Sequence, residues 1–196
     1  LGLNRFNKNT GKFTHFKKSP AGLTDNVITS LMQDSHGDLW IGTMNGLNRL
    51  DGKSLEITQF GVENGLPNGN VFGITEDKTG SLWISTNNGL AKFSLTNQDF
   101  SVYSVDDGLQ DRAYILGAYH QDNQGKLYFG GVNGFNWFTP ESLGHKEDTP
   151  DVVLEDFLLF NKAVDEDSLK SRISAGFIEL SHEDVIFGVE FSAPLA

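Results

Sequence analysis

The chain has 196 residues, 38% of them apolar, enough for one or two domains with buried cores. It holds no cysteine, which excludes a disulfide framework and any cysteine-based zinc site. A formal charge of −11 leaves no basic face for a phosphate backbone, so nucleic-acid binding is excluded as a reading.

Taken in chain order, the sequence opens on GLNRF (2–6) and reaches AGLTDN (21–26). Short apolar runs follow: VITSLMQD (27–34), LWIGT (39–43), GLNRL (46–50) and LEITQF (55–60). NGLPNG (64–69) then starts the same series again, with VFGITED (71–77), LWIST (82–86), GLAKF (89–93) and DFSVYS (99–104). DGLQDR (107–112) starts it a third time, ending in the looser copy GKLYFGGVNGFNWF (125–138). The step is 43 to 45 residues, and the third copy carries two extra residues between Gly108 and Gly125. Runs of about five residues bounded by Gly, Asn and Asp predict four short strands per repeat. A period near 43 of this kind marks a β-propeller with one four-stranded blade per repeat. The expected fold class is all-β: about three propeller blades over 1–144, forming an open fragment of a larger ring.

Asp34 to Gly37, Asp77 to Gly80 and Asp122 to Gly125 share an Asp-x-x-Gly spacing. That is the preference of a type I turn whose carboxylate accepts a backbone N–H. A calcium loop needs oxygen ligands at alternate positions and a bidentate Glu, a pattern these loops lack, so no metal is expected. Asn45-Gly46, Asn88-Gly89 and Asn133-Gly134 read as Asn-Gly hairpin turns. Trp40, Trp83 and Tyr128 hold one repeat position, where packing between blades is favoured over a sugar-stacking platform.

Catalytic signatures are missing. There is no G-x-S-x-G and no H-E-x-x-H, and His15, His36, His120, His145 and His182 are scattered. No catalytic residue and no cofactor is therefore assigned. A glycoside hydrolase or lyase would need a positioned carboxylate pair or a tyrosine nucleophile, but the repeated acids are turn residues.

After Phe138 the rhythm stops. TPESLG (139–144) predicts one helical turn with Thr139 as its N-cap, and 144–150 reads as a polar linker. VVLEDFLLF (152–160), FIELS (177–181) and VIFGVEFSA (185–193) predict strands of a second β-domain over 150–196, with a charged connection and a short helix at 162–174. Residues 1–140 balance at −2 and residues 141–196 at −9. No run approaches the roughly 18 apolar residues of a membrane span, and no signal peptide is visible. With Leu1 already inside a repeat, the chain is expected to be a segment of a longer protein.

The pattern D-x-x-G-x-L-W-I-G/S-T-x-x-G-L-x-R/K-F/L over 21–50 and 64–93 resembles the two-component regulator propeller repeat. The third copy is similar to the form that family's last blade takes. PDVVLEDFLLFNKAV with IELSHEDVIFGVEFSA resembles the start of the immunoglobulin-like three-tyrosine (YYY) domain, here cut short. The resemblance implies a non-catalytic ligand-sensing segment, periplasmic and part of an inner-membrane signalling protein. It implies membrane attachment only through a span of the parent, a dimeric parent, and a histidine kinase or GGDEF output. The implied ligand is a small molecule of the oligosaccharide kind; a protein-binding scaffold is the alternative.

In a propeller the connections from fourth to first strand, and from second to third, open on one rim. Here these carry Asp25, Asn26, Asn68, Asn70, Asp111 and Arg112, with Asn45, Asn88 and Asn133 beside them. Mixed donors and acceptors suit a hydroxyl-rich ligand, and Arg112 stands out because it lies where the third copy breaks the repeat.

Overall fold

Alternating and doubly apolar runs of five residues have only one way to bury both faces: they pair into small sheets that stack on one another. The structure, a computed structural model, describes residues 1–143, 153–160, 162–165, 173–174, 177–178, 180 and 186–192. Strands β1 (Leu3–Asn7) and β2 (Lys12–Phe16) form a two-stranded piece. Two full blades follow, each an antiparallel four-stranded meander. The first is β3 (Ile28–Gln33), β4 (Leu39–Thr43), β5 (Gly46–Leu50) and β6 (Ile57–Phe60). The second is β7 (Val71–Glu76), β8 (Ser81–Thr86), β9 (Gly89–Ser94) and β10 (Phe100–Tyr103). Among the described residues the third blade consists of β11 (Tyr114–Gln121), β12 (Leu127–Gly131) and β13 (Gly134–Phe138). The fold is all-β, and its open row of sheets is that of an incomplete propeller.

Each inner strand carries a bulge at the same place. Ile28 pairs with Thr43 but Ser30 with Gly42, and Val71 pairs with Thr86 but Gly73 with Ser85. In the third blade Tyr114 pairs with Gly131 and the next pair is Tyr119 with Phe129. The two extra residues of that copy are therefore absorbed in the bulge, within 115–118, where Gly117 takes a positive φ. Ile115 and Leu116 are left exposed on it.

The cores are the seams between blades. Trp40, Leu47, Phe60 and Leu66 meet Val71, Ile74, Ile84 and Phe93 in the first full seam. Trp83, Leu90 and Tyr103 meet Tyr114, Leu127 and Phe129 in the next. β4 and β8 are buried along nearly their whole length because they are covered on both faces. Trp40 and Trp83 are fully buried and pack the seams as expected, whereas Tyr128 at the same repeat position is only half-buried and joins neither seam core. One further detail ties loop to strand. Thr24 N donates to Asn48 Oδ1, and Gln110 N donates to Asn136 Oδ1. In the middle copy Pro67 has no N–H to give, and Ala91 stands where the asparagine would be.

After β13 the chain turns through Pro140–Ser142, a single 3-10 turn, which sets Leu143 against the second seam. Thr139 precedes it as expected, but its side chain makes no capping bond. The chain divides into two compact units, Leu1–Gly144 and His145–Ala196. In the second, β14 (Val153–Leu159) pairs antiparallel with β15 (Lys162–Ala163) and β18 (Phe187–Ser192). β16 (Ile173–Ser174) pairs with β17 (Phe177–Ile178). The expected linker, the short helix and the rest of the immunoglobulin-like pattern fall largely outside the described residues.

Candidate functional site

The rim is built from backbone. Gly2, Gly46 and Gly89, which open the third strand of successive blades, have φ of 105°, 132° and 93°. Their N–H groups donate to Asn26 O, Gly69 O and Arg112 O, carbonyls of the following fourth-to-first connection. A Cβ on Gly89 would lie 2.3 Å from Tyr103 O, so close approach as well as conformation demands glycine. The hairpins start one residue earlier than an Asn-Gly turn would. Thr43 pairs with Gly46 and Thr86 with Gly89, so the connecting residues are Met44–Asn45 and Asn87–Asn88. The buried threonine is the reason: Thr43 Oγ1 donates to Gly46 O and accepts from Asn45 N, and Thr86 does the same with Gly89 and Asn88. In the third blade Gly131 replaces the threonine, and Asn133 N donates instead to Gln110 Oε1.

Asp25, Asn68 and Asp111 occupy one repeat position, and each side chain is spent on its own loop. Asp25 Oδ1 accepts from Val27 N, Asn68 Oδ1 from Asn70 N, and Asp111 Oδ1 from Arg112 N. The Val27 amide, with Lys18 Nζ at 3.5 Å, holds the Asp25 carboxyl below the usual range. Asn26 Oδ1 accepts from Lys18 N. Asn70 contributes its amide to the turn.

Two clefts open along this rim at equivalent repeat positions. The larger, about 550 Å³, is lined by Lys18, Ser19, Thr24, Asn45, Gln59 and Glu63 among others. The smaller, about 280 Å³, is lined by Asn88, Ser104, Val105, Asp106 and Arg112 with Gly89 and Val102. Of the residues expected at a ligand, Asn45 thus faces one cleft and Asn88 with Arg112 the other; Asn133 is tied to Gln110. Gln59, Glu63, Ser104 and Asp106 were not singled out by sequence. Glu63 and Asp106 lie in the one-turn segments Val62–Asn64 and Val105–Asp107, which end at the left-handed Gly65 and Gly108, whereas Gln59 and Ser104 lie outside them.

The opposite rim holds the Asp-x-x-Gly turns. Asp34 Oδ1 accepts from His36 N and Asp38 N, Asp77 Oδ1 from Thr79 N and Ser81 N, and Asp122 Oδ1 from Gln124 N and Lys126 N. The second oxygen does something the spacing alone did not suggest. It accepts from Trp40 Nε1 and Trp83 Nε1, each at 2.8 Å, and from Tyr128 OH at 3.2 Å. Among the described residues no cluster of His, Asp and Glu could hold a metal ion.

Residues 22–45 and 65–88 match the family model of the two component regulator propeller. The family likeness rests on these two successive repeats. Among solved structures, the chain is similar to the extracellular domain of a hybrid two component system from B. thetaiotaomicron. That match has 29% identity and a TM-score of 0.67, covering 86% of this chain and 23% of the other. A second such extracellular domain from B. thetaiotaomicron matches at 20% identity and TM-score 0.58, over 78% of this chain and 22% of that one. Virginiamycin B lyase from Staphylococcus aureus matches at 19% identity and TM-score 0.53, over 70% of this chain and 45% of its own. At these lower identities the likeness is one of fold alone. No curated protein matches the chain. The chain spans less than a quarter of the length of these two-component neighbours.

Proposed function

We propose that this chain is a ligand-sensing segment from the periplasmic region of a membrane-bound bacterial signalling protein, and that it performs no chemistry itself. The observation that carries the reading is the family match of two successive repeats, supported by a 29% identical extracellular domain of a hybrid two component system along 86% of this chain. The acids agree with it: Asp34, Asp77 and Asp122 are saturated by backbone amides and aromatic donors, which leaves none poised as a general acid. In this reading the parent is held in the inner membrane by its own span and works as a dimer. Its output is a histidine kinase or a GGDEF cyclase, and residues 150–196 begin an immunoglobulin-like relay of the YYY type.

The ligand site of this proposal is the rim with the two clefts, where amides, hydroxyls, carboxylates and a guanidinium suit a hydroxyl-rich small molecule such as an oligosaccharide. The test is a thermal-shift screen of the chain against neutral and charged oligosaccharides, followed by Arg112→Ala in the full-length parent. A ligand that raises Tm, with output lost in the variant, is the expected result. A chain that binds a protein surface and no small molecule is a scaffold, and the sensor reading then fails.

A further inference from the structure

One backbone position on the rim is held the same way three times while its side chain changes. Asn26, Gly69 and Arg112 stand at one repeat position. Their carbonyls receive the N–H groups of Gly2, Gly46 and Gly89 at 2.9, 2.7 and 2.6 Å, which clamps each residue beside the glycine that opens a third strand. What the position offers a ligand is then set by its side chain. Asn26 spends its Oδ1 on Lys18 N, Gly69 offers nothing, and Arg112 extends a guanidinium. Glycine at 69 is required by neither conformation nor packing, unlike Gly89. Its φ lies outside the left-handed range, and an added Cβ would come no closer than 3.4 Å to Asn45.

The two clefts differ in this residue. Both are lined by an asparagine (Asn45, Asn88), a valine (Val62, Val105) and an acid (Glu63, Asp106) at matching repeat positions, with Gly69 in the larger and Arg112 in the smaller. The cation of the larger cleft is already matched, since Lys18 Nζ lies 3.5 Å from Asp25 Oδ2. Arg112 is exposed, and among the described residues its guanidinium has neither a hydrogen bond nor a carboxylate at ion-pair distance. Asp111, next to it in the chain, binds the Arg112 amide instead. A planar guanidinium with its N–H groups unspent in a concave site receives an oxyanion through two parallel hydrogen bonds. The Asp106 carboxylate in the same cleft can accept hydroxyl hydrogens.

We infer, on the reading of the rim as the ligand site, that this repeat position determines its specificity and that Arg112 selects an acidic saccharide. The guanidinium holds a carboxylate or sulfate of the ligand, while Asn88 and Asp106 meet hydroxyls of the same unit. Gly69, with no side chain and only the Glu63 carboxylate as an unpaired charge nearby, leaves the larger cleft to a neutral unit.

The experiment titrates the chain with matched sets of galacto-, gluco- and manno-configured disaccharides. Each set holds a neutral member, its uronate and its sulfate ester, and binding is followed by calorimetry and by amide NMR signals. The expected result is an acidic member that binds about tenfold or more tightly than its neutral counterpart, with shifts at residues 88–89 and 104–112. The uronate and the sulfate ester show which oxyanion is taken. Arg112→Gln and Arg112→Gly, with folding checked by their melting curves, abolish the preference. Gly69→Arg creates the same preference at the larger cleft, read at Asn45 and residues 61–69. Neutral members bound as tightly as acidic ones, a preference that survives the Arg112 variants, or none gained by Gly69→Arg would each overturn the proposal and leave the rim a saccharide site. No binding by any member would overturn the rim reading itself, and this inference with it.

Discussion

Trp83 donates its indole Nε1 hydrogen to Asp77 Oδ2 at 2.8 Å while Asp77 Oδ1 receives Thr79 N and Ser81 N. One buried carboxylate thus closes the turn between the first two strands and anchors the aromatic that fills the seam. Removing it orphans a buried indole N–H as well as two amides. Asp77→Ala is therefore expected to cost about 2 to 4 kcal/mol, more than a turn cap alone, whereas Trp83→Phe leaves the turn bonds intact. Urea denaturation of both single variants and the double variant gives the coupling between the two side chains. A coupling near zero means the bond contributes nothing. Added calcium is expected to leave the wild-type Tm unchanged.

Acid sensitivity follows from the same residue. Burial pushes the Asp77 carboxyl up, but bonds from Thr79 Oγ1, Trp83 Nε1 and the Ser81 and Thr79 amides outweigh it and hold the group below the ordinary range. Its contribution is complete above the unfolded value of about 3.9 and is lost as pH falls through the lower folded value. Asp77→Asn, which does not titrate, should lose less stability than wild type between about pH 5 and pH 2. Parallel losses in acid would place the pH dependence elsewhere.

Glycine positions separate two costs. Gly89→Ala meets both a positive φ of 93° and a carbonyl at 2.3 Å, so about 3 kcal/mol or more is expected, enough to lower the Tm of a small domain by many degrees. Gly108→Ala has a similar φ of 90° but open space around the new methyl, and about 1 kcal/mol is expected. Calorimetry of the two variants checks the order. Equal losses would mean that conformation alone fixes the glycine.

A sensor without chemistry signals through the different affinities of two arrangements. Residues 1–140 balance at −2 and residues 141–196 at −9, with the segment 144–150 between them. A Gly-Ser insertion after Gly144 in the full-length parent is expected to abolish ligand-dependent output while calorimetric ligand binding is unchanged. Retained output would remove the segment from the relay.

The sequence alone determined the blades, because the features that build them are local and recur. A five-residue apolar run, an Asp-x-x-Gly turn and a glycine at a fixed step each act within a few residues, so the period exposes them. The buried role of Trp40 and Trp83 was legible for the same reason. What the tertiary structure decided lies between blades or depends on register. The Asp–aromatic bonds join positions six apart that only strand pairing brings together. The hairpins moved by one residue because a buried threonine hydroxyl, invisible to turn preferences, bonds across them. The rim clefts arise where Asn45 meets Glu63 and Gly69, and Asn88 meets Asp106 and Arg112, residues 18 to 24 positions further along the chain. Backbone and side-chain bonds across a seam depend on which surfaces touch, and a one-dimensional period carries no record of that.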